Sequence, residues 1–404
     1  MKRPDLNEDV TRIGGQSGLA ALPNRTTRIT GWGHEVPATI LSNLDLEKIV
    51  ETSDEWITSR TGIRERRIAR AGETTASMGA IAGARALAVA GIGIDEIDLI
   101  VVATLTPDHS MPNTAALIKG ALGGTRAAAF DLSAACSGFT YGYAVAHGFL
   151  TAGLGHRALV IGTETLSRVV DWSDRSTCVL FGDGAGAIVL EALDLPQDQV
   201  LATRPGTLSF ELSSDPSGAY ALWIPGGIGA DADPLIKMDG AKTYVYATRT
   251  MAAVASAAIA RAGLTPAGVD LVIPHQANIR IIEHVSKSME YPMEQIFVNL
   301  DRYGNTSAAS IPIALSEAVA AGRLKPGDVF CTVAFGGGYT SGAFVTRWDA
   351  DPTQGARAAT VDPAHINVPR PEGGSNSGAV PEALRAHLDA RGRSEEHTSE
   401  LQSH

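Results

Sequence analysis

Three residues whose chemistry goes beyond packing stand at informative places in this sequence. Cys136 lies in "SAACSGFTYG" (133–142), among residues with almost no side chain and just ahead of a small-residue run with helical character. His275 directly follows the apolar run "VDLVIP", and Asn305 sits in "YGNTSAAS" (303–310). A cysteine at a helix start feels the positive end of the dipole and its unpaired N–H groups, which lowers a thiol pKa and favours thiolate. A histidine can hydrogen-bond a developing oxyanion or move a proton. An asparagine donates two N–H bonds without carrying charge. The glycines of "FGGGYTSG" (335–342) let backbone N–H groups come close to a carbonyl oxygen.

Taken singly, each has a structural alternative. Cys136 could be a small buried apolar residue, His275 the residue after a strand that Pro274 ends, and Asn305 or Thr306 a helix cap. "GDGAGA" (182–187) has the glycines of a phosphate loop, but a strand follows it rather than a helix, so it reads as tight packing. Cys178 and Cys331 fall in apolar strands and read as inert core.

The elements that must position these residues occur twice. "AIAGARALAVAGIGIDEIDLIVVAT" (80–104) overlays "AAVASAAIARAGLTPAGVDLVIPHQ" (252–276), matching Gly91 with Gly263, Asp98 with Asp270 and Leu99 with Leu271. Each copy reads as an Ala-rich helix, a glycine stop and a short apolar strand. "FDLSAACSGF" and "NLDRYGNTSAAS" then place small residues at a strand-to-helix junction, followed by "RALVIGTE" and "VFCTVAFGGG", and finally by "GAGAIVLE" and "TSGAFVTRW". The repeat is too long for a solenoid and implies two similar α/β halves, 27–200 and 201–348. Continuous apolar strands alternating with helices imply parallel sheets covered on both faces. Small-residue helices between two such sheets give five layers, α/β/α/β/α, about a pseudo-two-fold axis. Ligands in such folds bind at the carboxyl ends of strands, where Cys136, His275 and Asn305 all fall.

Composition excludes other classes. The 404 residues are 44% apolar and 19% charged, with net charge −11. This allows a large core and argues against nucleic-acid binding, which needs a basic excess. No apolar run is long enough to span a membrane, and the N-terminus has no secretory pattern. Three widely spaced cysteines suit a reducing cytoplasm, and no C-x-x-C pair points to zinc. Residues 1–26 and 349–404 read as disordered. Within the second, "VPEALRAHLDARG" (380–392) has the pattern of a short amphipathic helix. "RSEEHTSELQSH" (393–404) reads as a translated sequencing adapter and is set aside.

Together, "TSDEWITSRTGIRERRI", "AACSGFTYG", "LFGDGAGA", "PHQANIRII", "YGNTSAASIPIAL" and "AFGGGYTSG" resemble the ketoacyl synthase III family of thiolase-fold condensing enzymes, in the same order from about Ile29 to Trp348. The resemblance implies ping-pong chemistry. Cys136 would take an acyl group from acyl-CoA. Malonyl-acyl carrier protein would then lose carbon dioxide, and its enolate, held by His275 and Asn305, would attack the Cys136 thioester. Backbone N–H groups of Cys136 and Gly337 would form the oxyanion hole. The chemistry requires no metal or redox cofactor.

The resemblance further implies that Trp56 and Arg175 sandwich the CoA adenine, that Arg60, Asn278 and Arg280 line the CoA path, and that Arg280 helps dock the carrier protein. It implies a homodimer in which Met111 closes the partner's acyl pocket, with Leu166 and Phe181 at other pocket positions. Met111 stands where a phenylalanine is common in acetyl-preferring members, which points to longer or branched primers. The chain departs from the family in "MDGAKTYVYATRT", where Val245 replaces a common lysine between Lys242 and Arg249. The main alternative is a paralogue that primes or acylates in a specialised, polyketide-type pathway. Non-decarboxylative relatives use a glutamate where Met111 stands, and a degradative thiolase needs a second cysteine in the loop that here reads "AFGGG". A non-catalytic acyl-CoA-binding protein would have lost the triad.

Overall fold

The computed structural model of the protein describes residues 24–226 and 233–368. The first sheet contains β1 (Arg25–Glu35), β2 (Leu99–Ala103), β3 (Ala128–Leu132), β4 (Arg157–Thr165) and β5 (Asp183–Asp194), in the order β1-β5-β4-β2-β3. The second contains β6 (Gly206–Ser214), β7 (Leu271–Pro274), β8 (Val329–Gly336) and β9 (Thr340–Arg347), in the order β7-β8-β9-β6. Six helices matter for the site: α1 (Asp54–Thr61), α2 (Thr75–Ala90), α3 (Gly138–Thr151), α4 (Gly240–Arg261), α5 (Ile279–Ser288) and α6 (Ser310–Ala320).

The expected layers form. Leu99 and Val101 of β2 face the central core with Phe139 and Tyr143 of α3, while Ile100 and Val102 face outward to Ala82 and Ala86 of α2. In β7, Leu271 and Ile273 point into the central core and Val272 points out to the cluster that holds Ala255 and Ile259 of α4. This period-two alternation gives each sheet two apolar faces, so α3 and α6 fill the middle layer and α2 and α4 cover the outside.

The sheets are mixed rather than parallel, which corrects the sequence expectation. β2 runs parallel to β3 and β4, but β5 runs antiparallel to both β4 and β1. Likewise β7 and β8 are parallel, while β9 is antiparallel to β8 and β6. The inner strands β2, β4, β5, β8 and β9 are buried on both faces over most of their length whatever their direction, so apolar continuity did not report direction.

The repeat is physical. Gly91 and Gly263 follow their helices at φ +72° and +73°, the left-handed conformation that glycine adopts without strain. The Asp98 carboxylate accepts the His156 N–H at 2.7 Å, and that of Asp270 accepts the Val329 N–H at 2.8 Å. Each aspartate therefore ties the start of one strand to its neighbour. "GDGAGA" is packing: a side chain on Gly186 would begin 2.6 Å from the Ile313 nitrogen of α6.

The disordered reading of 1–26 is corrected at Arg25 and Thr26, which open β1 with Thr26 buried, and that of 349–404 is corrected for residues 349–368. Asp351 and Asp362 accept the N–H groups of Thr353 and Ala364, opening 3-10 turns at Pro352–Thr360 and Pro363–His365. Ile366 and Val368 pack on the outer cluster over α2, and Arg357 donates to the Val89 carbonyl at 3.2 Å. Asp-Pro pairs that composition reads as disorder act here as turn formers. Residues 1–23 and 369–404, with the proposed helix at 380–392 and the adapter-like end, lie outside the described residues. Truncation after Trp348 is expected to lower the thermal midpoint by roughly 5 °C, from loss of about 2–3 kcal/mol of apolar burial. Differential scanning calorimetry checks this.

Candidate active site

The residues singled out in the sequence converge from both halves. Cys136 lies in a 3-10 turn, Ala135–Ser137, that leads from the end of β3 into α3. The matching turn in the second half, Ser307–Ala309, leads into α6. Two bonds fasten the cysteine turn to the start of β9: Thr340 Oγ1 donates to the Ala134 carbonyl at 2.8 Å, and Ser137 Oγ donates to the Thr340 carbonyl at 3.1 Å. Gly336 allows this contact, because a side chain there would begin 2.6 Å from the Cys136 nitrogen.

His275 follows β7 directly, and its N–H donates to the Val333 carbonyl at 2.8 Å. Its Nδ1 lies 2.6 Å from Ser310 Oγ, the first residue of α6. The Gln276 N–H also donates to that oxygen at 3.4 Å; with the hydroxyl hydrogen turned to Nδ1, the ring proton sits on Nε2. Asn305 is held by a bridge to Phe181, and its Oδ1 accepts the Ser307 N–H at 2.8 Å. Its side-chain N–H donors remain for a ligand.

A channel of about 310 Å³ joins these groups to the surface. Cys136, His275 and Asn305 line it, as do Trp56, Arg60, Asn278 and Arg280. Ser53 caps α1 by accepting the Trp56 N–H, and a spacing of four sets Trp56 and Arg60 on one face. The Arg60 guanidinium lies 4.9 Å from the Trp56 ring centre and that of Arg175 5.2 Å. Arg175 therefore rests against Trp56 itself, and a ring held between them requires it to swing away. Such an exposed cation–π contact is worth only about 0.5–1 kcal/mol. The Asn278 side chain caps α5 by accepting the Arg280 N–H, and Arg280 lies over Tyr244.

Beyond Cys136 opens a second cavity of about 940 Å³, whose lining includes Leu166, Phe181 and Gly337. Cys136, Phe181 and Leu222 line both spaces. Met111 does not line either and is 87% exposed in the single chain.

Burial governs the electrostatics. It pushes the Cys136 thiol up to about 12, with Ser307 pulling the other way more weakly. The sequence expectation was a thiol lowered at a helix start; burial acts in the opposite direction and is the largest cause of the shift. Burial also drives His275 down to about 3, so the ring is neutral. Sequence reasoning missed Ser310, Ser307 and Glu164. The last is fully buried beside the turns, and burial raises its carboxyl to about 7. A carboxylate inside the apolar run "RALVIGTET" was the available signal.

Family comparison agrees with this geometry. The family model described as 3-Oxoacyl-[acyl-carrier-protein (ACP)] synthase III matches residues 130–209, and its C-terminal counterpart matches 259–348. A beta-ketoacyl-[acyl-carrier-protein] synthase III from Roseiflexus sp. (strain RS-1) is 48% identical over 331 residues, covering 80% of this chain and 98% of that protein. The chain belongs to the beta-ketoacyl-acyl-carrier-protein synthase III family. It is therefore a condensing enzyme of the acyltransferase type. A relative of the same name from Xanthomonas campestris pv. campestris is 46% identical over 80% of this chain and 98% of its own length. The crystal structure of 3-oxoacyl-[acyl-carrier-protein] synthase III from Aquifex aeolicus VF5 superposes with a TM-score of 0.74 at 46% identity, covering 80% of this chain and all of that one. The priming beta-ketosynthase of the R1128 polyketide pathway gives 0.77 at 34% identity, over 83% of this chain and 100% of that one.

Replacing Ser310 by alanine frees Nδ1 to carry the ring proton. Ser310→Ala is expected to slow decarboxylation of malonyl-acyl carrier protein roughly tenfold while leaving acyl labelling of Cys136 intact. Carbon dioxide release and acyl labelling, measured side by side, check this.

Proposed function

We propose that this enzyme condenses an acyl-CoA primer with malonyl-acyl carrier protein to give 3-oxoacyl-acyl carrier protein, initiating fatty acid synthesis. The observation that carries the reading is the common channel whose lining includes Cys136, His275 and Asn305 and which meets a large acyl-sized cavity at Cys136. Pantetheine reaches Cys136 through the channel, past Trp56, Arg60, Arg175, Asn278 and Arg280, with Arg280 also receiving the acidic carrier protein. The acyl chain fills the cavity by Leu166 and Phe181. Sγ attacks the thioester carbonyl, whose oxygen is held by the N–H groups of Cys136 and Gly337, and CoA leaves. Malonyl-acyl carrier protein then takes the vacated channel. His275 Nε2–H and the Asn305 amide stabilise the enolate oxygen as carbon dioxide departs, and the carbanion attacks the Cys136 thioester.

This chemistry needs no metal or redox cofactor, since decarboxylation drives it. Identities of 46–48% to synthase III relatives favour the fatty-acid reading over the polyketide-type one. A homodimer suits the exposed Phe130 on edge strand β3 and the exposed Met111, with Met111 of each copy closing the other's cavity. A cytoplasmic setting suits the three free thiols.

Labelled acyl-CoA tests the covalent step: Cys136→Ser is expected to lose the label, and a variant that labels like wild type contradicts the mechanism. Asn305→Ala should keep acylation and lose condensation by roughly 100-fold or more; equal loss of both steps contradicts its assigned role. The same assay with acyl chains of differing length reads the cavity, and acceptance of primers longer than acetyl is expected.

A further inference from the structure

Forming the Cys136 thioester requires the thiol to lose a proton, and the groups named so far do not accept it. The thiol is buried, and His275, whose Nδ1 is engaged by Ser310, is assigned above to the enolate. On the other side of Cys136 lies a buried polar array that the mechanism above does not use. Glu164, near the end of β4, accepts hydrogen bonds from Thr106 Oγ1 at 2.5 Å, Thr104 Oγ1 at 3.2 Å and the Leu105 N–H at 3.2 Å. Glu164 shares a strand face with Gly162, two residues earlier. A side chain on Gly162 would begin 2.2 Å from the Ala308 carbonyl oxygen, so that face of β4 is pressed against the Ser307–Ala309 turn.

Ser307 opens that turn, which packs against both β4 and the Ala135–Ser137 turn. Its hydroxyl acts on both the Cys136 thiol and the Glu164 carboxyl, favouring their ionised forms. Yet its Oγ is buried with no hydrogen bond of normal geometry, so it is free to turn toward either. Ser307, Cys136, Thr104 and Thr106 line the same cavity. The residue holds φ +48°, a conformation that costs a non-glycine residue energy and tends to persist where function requires it.

We propose that Ser307 and Glu164 form the proton path of Cys136. As Sγ bonds to the acyl carbon, the thiol proton passes to Ser307 Oγ, and the Ser307 proton passes to the Glu164 carboxylate. The carbon–sulfur bond to CoA breaks, and CoA leaves as a thiolate that takes a proton from solvent. Glu164 stays protonated in the acyl-enzyme. When the carbanion displaces Cys136 as thiolate, the proton returns through Ser307 and the starting state is restored. The hydroxyls of Thr104, Thr106 and Ser307 and the Leu105 amide face the carboxyl, and Cys136 is its titratable neighbour. Ionised Glu164 is the accepting form; its charge also raises the neighbouring thiol, so the path works by taking the proton as Sγ attacks rather than by holding a standing thiolate, and thiol reactivity rises as pH rises through the value of about 7 to which burial brings this carboxyl.

The inference rests on the acyl-transfer role of Cys136, but its test does not need acyl-CoA. Iodoacetamide alkylation of Cys136, followed by peptide mass spectrometry between about pH 5 and pH 9, reads removal of the thiol proton as Sγ attacks, without any acyl donor. Glu164→Gln and Ser307→Gly are each expected to slow alkylation at neutral pH roughly 100-fold and to abolish the inflection near neutrality. Glu164→Asp should restore part of the rate, which a merely structural role does not predict. Glycine at 307 removes the hydroxyl and relieves the left-handed backbone, so this variant decides the matter should Glu164→Gln fail to fold. Folded variants that alkylate at the wild-type rate with an unchanged pH profile overturn the proposal. A wild type that alkylates at Cys136 but takes no acyl group defeats the acyl-transfer reading instead, and the alkylation comparison still decides the proton path.

Discussion

The site depends on two tight backbone turns, Ala135–Ser137 and Ser307–Ala309, being brought together in the middle layer of the fold. Each contains one non-glycine residue in the left-handed region, Ala135 at φ +47° and Ser307 at φ +48°, at a cost of roughly 1–2 kcal/mol apiece. The packing around them sustains that cost. Gly138 would place a side chain 3.0 Å from Ala103 and 3.4 Å from Ala308, so bulk on either turn would push the halves apart. The small residues around Cys136 are thus a requirement of assembly as much as of substrate access.

Matching the turns by their left-handed residues refines the symmetry. Ala135 pairs with Ser307, so Cys136 pairs with Ala308 and Asn305 with Ser133. The nucleophile and the amide are therefore not equivalent positions put to different uses. Each half has placed its reactive group at a different step of the same turn. One group precedes the left-handed residue by two positions and the other follows it directly.

Dehydration is the main electrostatic force. It raises the thiol, lowers the imidazole and raises the Glu164 carboxyl, each toward its uncharged form. On the proposed mechanism, charge in this site is created during reaction and is met by oriented dipoles: the N–H groups of the turns, the imidazole Nε2–H and the Asn305 amide. The sequence made much of this legible. Gly91 with Gly263 and Asp98 with Asp270 revealed the repeat because helix stops and strand ties need those residue types. The convergence of Cys136, His275 and Asn305 on one channel was legible because strand-end loops carry them. Strand direction was not, because burial on both faces hides it, nor were the turns of 349–368, where Asp-Pro pairs read as disorder. The thiol expectation failed because the depth of Cys136 is a property of the assembled layers. Glu164 and Ser307 were passed over because only the fold brings a strand end and a turn in the other half together.

The central claim is that the second half stabilises the enolate independently of the nucleophile supplied by the first. Carbon dioxide release from malonyl-acyl carrier protein, measured without acyl-CoA, tests it most directly. Cys136→Ala should release carbon dioxide within about tenfold of wild type, whereas His275→Ala and Asn305→Ala should fall by roughly 100-fold or more. Loss in Cys136→Ala as complete as in the other two, or undiminished release by His275→Ala and Asn305→Ala, would contradict it.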